Sequence, residues 1–505
     1  MTTQSFTDRE IEFPEIFIGI ASPVGTDVST TIKDLTEFFE EKEYSVHHIK
    51  ISEILKDIAE LLGYGELKES PKNERINSYI DFGNYLRGSL GNDYLSAISI
   101  ANIISKRIQS EIKSGYERNV YIINQLKTEE ELKLLRETYS SLFFQISIYS
   151  ARDVRVDNLS KAISHDLKKA DRTPYRSIAE KLVERDEDEA DIDSGQKVGK
   201  IFQQADIVLN ADQVGDHAGI KSQVKRFVNL LFGSNSYSPN RVEYGMFVAF
   251  SAALRSLDLS RQVGAAIFRN TGEIISLGSN EVPKAGGGTY WADDLHDARE
   301  YRLKIDSNDE RKSELLNEIL EILYGENSVI SPQKREELES SQMMDALEYG
   351  RIVHAEMCAI SDAARLGIPL AGSTLYCTTF PCHMCSKHIV AAGIAKVYFL
   401  EPYPKSLTSH LHSDSVKIEG SPRGRYEQYP AVEYIPFLGI TPRRYRELFS
   451  RKKRKNNGEF LEYQRTPPQP VISLSAPWYL ERENKIAETS LNKLRNFAKS
   501  PSKPK

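Results

Sequence analysis

The chain has 505 residues, 40% of them hydrophobic and 27% charged, with a formal net charge of −6. This length exceeds what one core usually supports, so two domains with extensions are expected, built from ordinary soluble globular sequence. The slightly acidic balance argues against wholesale coating of nucleic acid. No run approaches 18 apolar residues and MTTQSFTDRE has no basic or apolar leader region, so no membrane span or signal peptide is expected and the cytoplasm is the expected location.

The first predicted element is the apolar strand IFIGIAS (Ile16 to Ser22), followed by a turn and the amphipathic run PVGTDVSTTIKDLTEFFEEKEY. Strand, loop and helix in this order is the layout of a phosphate cradle. Gly19, Gly25, Thr26 and Asp27 are therefore candidate nucleotide-binding residues. The motif is incomplete: Thr26 stands at the position of the P-loop Lys and Asp27 at that of the Ser/Thr, which argues against phosphoryl transfer and leaves regulatory nucleotide binding or a scaffold role.

Phe82 to Arg87 could line a nucleoside pocket, and Asn119 to Leu126, Leu142 to Ser150 and Ala205 to Asp212 read as buried parallel strands between helices. The acidic stretch Val183 to Gly195 reads as a solvated surface loop where a lid would sit. The turn-formers of Phe232 to Asn240 mark a linker.

Beyond the linker, Arg261 to Phe268 and Glu273 to Asn280 are two strands joined by an Asn270-Thr271-Gly272 turn. A long insertion, residues 284–350, carries a Gly-rich loop and charged helical sequence that could cap a site or form a subunit interface. After it comes His354-Ala355-Glu356 at the start of a helix, then the strand Ser373 to Thr379. That strand runs into Pro381-Cys382-His383-Met384-Cys385, 28 residues separating His354 from Cys382, and Ala395 to Tyr403 is the next strand. His410 and His412 read as surface residues despite their spacing. Arg443 to Lys455 holds eight Lys or Arg against one Glu, a local basic patch that could contact RNA or polyphosphate or be a solubilising face, and the final NKLRNFAKSPSKPK reads as a mobile tail.

The most informative pattern is the His-x-Glu with the Pro-Cys-x-x-Cys. All four cysteines lie between 358 and 385, which points to a metal site in a reducing compartment and not to a disulfide framework. His354, Cys382 and Cys385 supply three zinc ligands, and a catalytic zinc keeps its fourth position for water whereas a structural one closes it. Glu356 sits beside the metal without binding it and is the candidate proton carrier. This pattern is the signature of zinc deaminases, so hydrolytic deamination with Zn2+ as cofactor is expected. A closed zinc knuckle would need Cys358, Cys377 or His383 as a fourth ligand, and a redox Cys pair would not need the His-x-Glu.

With LRSLDLSRQVGAAIF and Gly278-Ser279-Asn280, these motifs make the second half resemble the deoxycytidylate deaminase family. Over nearly its full length the chain is similar to bacterial anti-phage dCTP/dCMP deaminases with a P-loop-kinase-like N-terminal half. The resemblance implies an α/β chain: a P-loop-kinase-like parallel sheet over 1–235, a cytidine-deaminase-like α/β/α domain over 236–440, and a basic C-terminal extension over 441–505. It implies conversion of dCTP and dCMP to the deoxyuridine forms, depletion of dCTP in anti-phage defence, and restraint by an inhibitory small RNA. Asn280 aligns with a sugar contact, Tyr403 is a candidate wall or phosphate contact, and a homo-oligomer without membrane attachment is expected. Deamination of bases in tRNA or single-stranded DNA, or a nucleotide-sensing regulatory role, are the alternatives.

Overall fold

The computed structural model describes residues 11–499 except 66, 110–116, 188, 190–194, 213–218, 326–329, 347, 403–405, 473 and 475. Two compact units emerge: residues 1–239 together with 438–505, and residues 240–437.

The first unit is built on strands β1 (Ile16–Ala21), β2 (Ser45–Lys50), β3 (Asn119–Asn124), β4 (Phe143–Tyr149) and β5 (Ile207–Asn210). They form a parallel sheet in the order β5-β4-β1-β3-β2, with Ile18 in register with Ile122 on one side and Phe144 on the other. Helices cover both faces, so β1 is buried at every position and reads as an unbroken apolar run. Gly19 lies in the middle of this strand. A Cβ there would meet Leu126 Cδ1 at 2.6 Å and Phe143 Cζ at 2.7 Å. Its place is therefore close packing inside the sheet, and it is not one of the residues lining the cleft beyond the strand ends, contrary to the expectation of a phosphate-binding glycine.

The C-terminal residues do not form a separate extension. Downstream of the second unit, a two-residue strand, Gly439–Ile440, pairs antiparallel with β5, and Thr441 N donates to Asp206 O. The expected mobile tail begins inside a helix, Tyr479–Lys499, whose Tyr479, Glu483, Ala487, Ser490 and Leu494 recur at helical spacing on one buried face. The helix is pinned by a buried ionic cluster: Arg107 donates to Glu15 and to Glu483, at 2.7 and 2.8 Å, while Tyr139 and Tyr479 donate to Glu483 and Glu15. Composition made this stretch look solvated because it is rich in charged and polar residues; its buried stripe decides its fate.

The acidic stretch near 183–195 is likewise not a solvated loop where it is described. Arg176–Glu187 is a helix, and Asp186 and Glu189 are both buried. Asp186 accepts from Val24 N and Lys127 Nζ, and Glu189 from Asn84 Nδ2 and Arg185 Nε. Buried carboxylates of this kind persist because cations and N–H groups from distant positions satisfy them.

The second unit starts at Asn240, whose side chain caps the helix Arg241–Ala253 in a reciprocal capping box with Glu243. Its sheet contains β6 (Gly264–Phe268), β7 (Ile274–Ser279), β8 (Thr374–Thr379), β9 (Lys396–Glu401), β10 (Val416–Ile418) and β11 (Val432–Pro436), in the order β10-β11-β9-β8-β6-β7. The β6–β7 hairpin is antiparallel, β6 and β8 pair antiparallel, and β8, β9, β11 and β10 run parallel. Helices Ala355–Arg365 and His383–Ala391 start near the ends of this sheet and carry the candidate site. Among the described helices none is long and apolar enough to cross a membrane.

Candidate metal centre and its cleft

Three elements converge on the centre. His354 is the N-cap residue of the helix Ala355–Arg365. That helix can lie against β7 because Gly278 has no side chain: a Cβ there would meet Ala355 O at 1.9 Å. Cys382 is the N-cap of His383–Ala391, and its Sγ accepts from Cys385 N at 3.5 Å, so Pro381 and the cap together end β8's exit and start the helix on the same residues.

The donor atoms meet. His354 Nδ1 lies 3.4 Å from both Cys382 Sγ and Cys385 Sγ, and the three atoms lie within 4.8 Å of one another. A tetrahedral zinc with ordinary Zn–S and Zn–N bonds has an S···N edge of about 3.5 Å, so this donor set fits the ion without rearrangement. Among the described residues only these three form a cluster that could hold a metal. Cys358, Cys377 and His383 are absent from it, so among the described residues the cluster offers three donors, the number a catalytic zinc takes from protein, and not four. Cys385 and then His354 hold the Cys382 thiol down to about 4 against the opposing effect of burial, so Cys382 is the sulfur that ionises first. His410 and His412 stay outside the cluster; His412 Nε2 sits 3.2 Å from His383 O.

Glu356 is almost fully buried, 4% exposed, with Oε2 at 3.4 Å from Cys385 Sγ. Burial pushes its carboxyl above the usual range. It and His354 face a cleft of about 380 Å³. The insertion supplies one wall of that cleft through Asp306, Asn308, Lys312 and Met344. Lys312, on the helix Ser307–Tyr324, donates to Met344 O and pairs with Asp309 at 2.8 Å. Lys312 was not singled out by sequence reasoning, since no local motif marks a cleft wall supplied by an insertion; Asp258, also lining the cleft, lies in the segment LRSLDLSRQVGAAIF but was not named as a site residue.

Asn280 also lines the cleft, but its amide is engaged by the fold. Oδ1 accepts from Ala355 N at 2.9 Å, and Nδ2 donates to Asp258 Oδ2 and Arg261 O. Tyr403 lies outside the described residues.

Comparison with known proteins places this geometry. Residues 239–401 match the cytidine and deoxycytidylate deaminase zinc-binding region. His354, Cys382 and Cys385 thus lie inside a region similar to a deaminase zinc-binding region. The deaminase region is similar to the ComE operon protein 2 of Bacillus subtilis (strain 168), 45% identical over 53 residues that make up 10% of this chain and 28% of that protein. It is also similar to the deoxycytidylate deaminase of Pongo abelii, 27% identical over 158 residues, 31% of this chain and 63% of that protein. The chain thus spans less than two thirds of these relatives. Among solved structures, the apo dCMP deaminase of cyanophage S-TIM5 matches 40% of this chain and 100% of its own, with 20% identity and a TM-score of 0.22.

Proposed function

We propose that the deaminase region hydrolyses the exocyclic amino group of deoxycytidine nucleotides, dCTP and dCMP, to give the deoxyuridine nucleotides and ammonia. The observation that carries the reading is the buried Glu356 carboxyl, 3.4 Å from a sulfur of the His354, Cys382, Cys385 cluster and facing a cleft of nucleotide size. The similarity of the region to deoxycytidylate deaminases supports the substrate class.

His354, Cys382 and Cys385 would hold zinc, which when bound makes a water acidic enough to react at neutral pH. Glu356 accepts a proton from the attacking water and passes it to the ring nitrogen beside C4. It then helps protonate the amino group as the C4–N bond breaks, so that the water oxygen becomes the carbonyl and ammonia leaves. Burial of Glu356 suits this shuttle, because desolvation raises its carboxyl and so makes it a better proton acceptor than an exposed carboxylate. Asn280 holds the start of the helix that carries Glu356, and the second lone pair of its Oδ1 is the proposed contact for the sugar. Tyr403 is proposed as a further substrate contact.

At the level of the cell, the proposed role is depletion of dCTP during phage infection by a cytoplasmic homo-oligomer restrained by a small RNA. The surface that supports RNA contact is the run Lys452, Lys453, Arg454 and Lys455, all exposed, with the exposed Phe460 on the paired strand of the same hairpin. Arg451 does not belong to it, since Nε donates to Ser234 O and the side chain is half-buried. The deciding experiment is ammonia release from dCTP, dCMP, CTP and single-stranded DNA in parallel. Turnover confined to the two deoxynucleotides upholds the reading; turnover of single-stranded DNA alone replaces it with base editing.

A further inference from the structure

A cleft of about 620 Å³ opens in the first unit where loops leave the carboxyl ends of β1 and β3. The chain passes from β1 over β3 to β2 on one side of the sheet and later to β4 and β5 on the other, so β1 marks the reversal of strand order, where open α/β sheets bind ligands. Three observations define what this cleft can take.

Its anion position is already filled. Asp27 Oδ1 accepts from Ser29 N at 3.0 Å and Ser29 Oγ at 2.6 Å, and Oδ2 accepts from Thr30 Oγ1 at 2.6 Å, at the start of the helix Ser29–Glu40. A carboxylate thus takes the donors that a phosphate chain would use. Although burial alone would raise it, these hydrogen bonds hold the Asp27 carboxyl below its usual range.

The cations are mostly committed. Lys127 pairs with Asp186 at 2.6 Å and Arg87 with Glu131 at 2.9 Å, both largely buried. At the rim remain Lys72, without an ion pair among the described residues, and Arg75, stacked on the Tyr79 ring at 4.6 Å with its Nε on the exposed Glu69 at 3.4 Å and its two terminal nitrogens turned to no carboxylate among the described residues. Two such cations suffice for one phosphate.

The interior holds acceptors without donors. Gln196 Oε1, Asn124 Oδ1 and Thr26 Oγ1 are buried and have no hydrogen-bond partner among the described residues. Gln196 is 6% exposed, and all three residues line the cleft opposite an apolar wall that includes Ile51, Leu55 and Ile80. Unsatisfied buried acceptors cost free energy until a ligand brings N–H groups.

We infer that this cleft binds an amino-bearing purine nucleoside monophosphate, its base amino group donating to Gln196 and Asn124, the ring nitrogen beside it accepting from the Thr26 hydroxyl and its phosphate at the rim with Lys72 and Arg75, and that it excludes triphosphates from the Asp27-capped helix. The volume, well above that of the deaminase cleft, suits a purine. This site belongs wholly to the first unit and is independent of the deaminase reading.

Calorimetric titration of the full-length zinc-loaded protein with dAMP, dGMP, dIMP, dATP and dGTP, repeated with saturating dCMP, tests it. Either dAMP or dGMP binds at least tenfold tighter than dIMP, no more weakly than its triphosphate, and unaffected by dCMP. Gln196→Leu weakens that binding at least tenfold without lowering the melting temperature of the free protein; should it melt early, Thr26→Val carries the same arm. Asp27→Gly frees the helix donors and raises triphosphate affinity at least tenfold while leaving the monophosphate unchanged. The inference is overturned if neither monophosphate binds, if dIMP binds equally well, if dCMP competes, if the wild type prefers triphosphates, if the acceptor variants keep full affinity, or if Asp27→Gly gains nothing.

Discussion

Asn280 Oδ1 accepts a hydrogen bond from the backbone N–H of Ala355, 75 positions later in the chain, at 2.9 Å. This bond fastens the end of β7 to the first turn of the helix whose cap is His354 and whose second residue is Glu356. One amide thus sets where a metal ligand and the proton carrier stand.

Replacing Asn280 by Ala leaves the Ala355 N–H and Asp258 without their partner, a loss of about 1–3 kcal/mol for buried groups. The expected outcome is a lower melting temperature together with a fall in kcat, because the helix start shifts relative to the cysteines. Asn280→Asp cannot donate to Asp258 and should be no better. Unchanged kcat in the alanine variant would remove the positioning role.

Metal content and turnover should separate in a defined way. Wild-type protein holds one zinc per chain, measured by mass spectrometry, and Cys382→Ala or Cys385→Ala loses both zinc and activity because two ligands hold the ion poorly. Glu356→Gln keeps zinc but loses about 10²–10⁴-fold in kcat. Zinc loss in that last variant would make Glu356 a ligand instead of a proton carrier.

The insertion brings its own pH dependence. Arg299, donating through Nε and Nη2, and Tyr301 through its hydroxyl hold the Asp297 carboxyl far below the usual carboxylate range. A depressed native pKa means that this contribution is fully present above the unfolded value of about 4 and is lost as pH falls through the native one. Melting temperatures of wild type and Asp297→Asn should therefore differ at pH 7 and draw together below about pH 4. A constant gap would show that the difference comes from packing.

RNA held by the hairpin should respond steeply to salt. Neutralising Lys452, Lys453, Arg454 and Lys455 should reduce the slope of log affinity against log salt by about 3, at about 0.7 per lost contact with single-stranded phosphate. Basal deamination should not change. RNA inhibition that keeps its full salt dependence would move the contact off this hairpin.

The buried Arg107, Glu15 and Glu483 cluster predicts where the first unit is fragile. Glu483→Ala leaves Arg107 with one carboxylate and Tyr139 Oη without its acceptor, a cost of about 3 kcal/mol. The helix Tyr479–Lys499 should then become cleavable by trypsin in native buffer. Equal protease resistance in wild type and variant would show that the apolar stripe alone suffices.

The metal centre was legible in the sequence because its chemistry is local: His354 and Cys382 each cap a helix, and Cys385 stands in the first turn that Cys382 caps. Four of the first unit's five parallel strands were legible for a similar reason, since burial on both faces writes an unbroken apolar run; β2, with only Ile49 buried, was not. What escaped depends on distant partners. Asp186 and Glu189 looked solvated because Lys127, Val24 and Asn84, which satisfy them, lie more than 50 residues away. Gly19 looked like a nucleotide-binding glycine because Leu126 and Phe143, which close on it, are distant in sequence. The C-terminal residues looked like a free extension because the link that returns them to the first unit is a strand of two residues.

That return has a consequence for synthesis. The first unit holds residues from both ends of the chain, with the entire deaminase region threaded between them. On the ribosome, the N-terminal parallel sheet emerges with the outer edge of β5 unpaired and with Glu15 and Arg107 lacking Glu483. At ordinary elongation rates it waits on the order of tens of seconds before its closing helix arrives. The deaminase region, continuous in sequence, can fold in that interval. The order of completion is therefore the reverse of the order of translation, and a message truncated shortly before codon 479 would release a chain with a finished zinc centre and an unfinished partner unit.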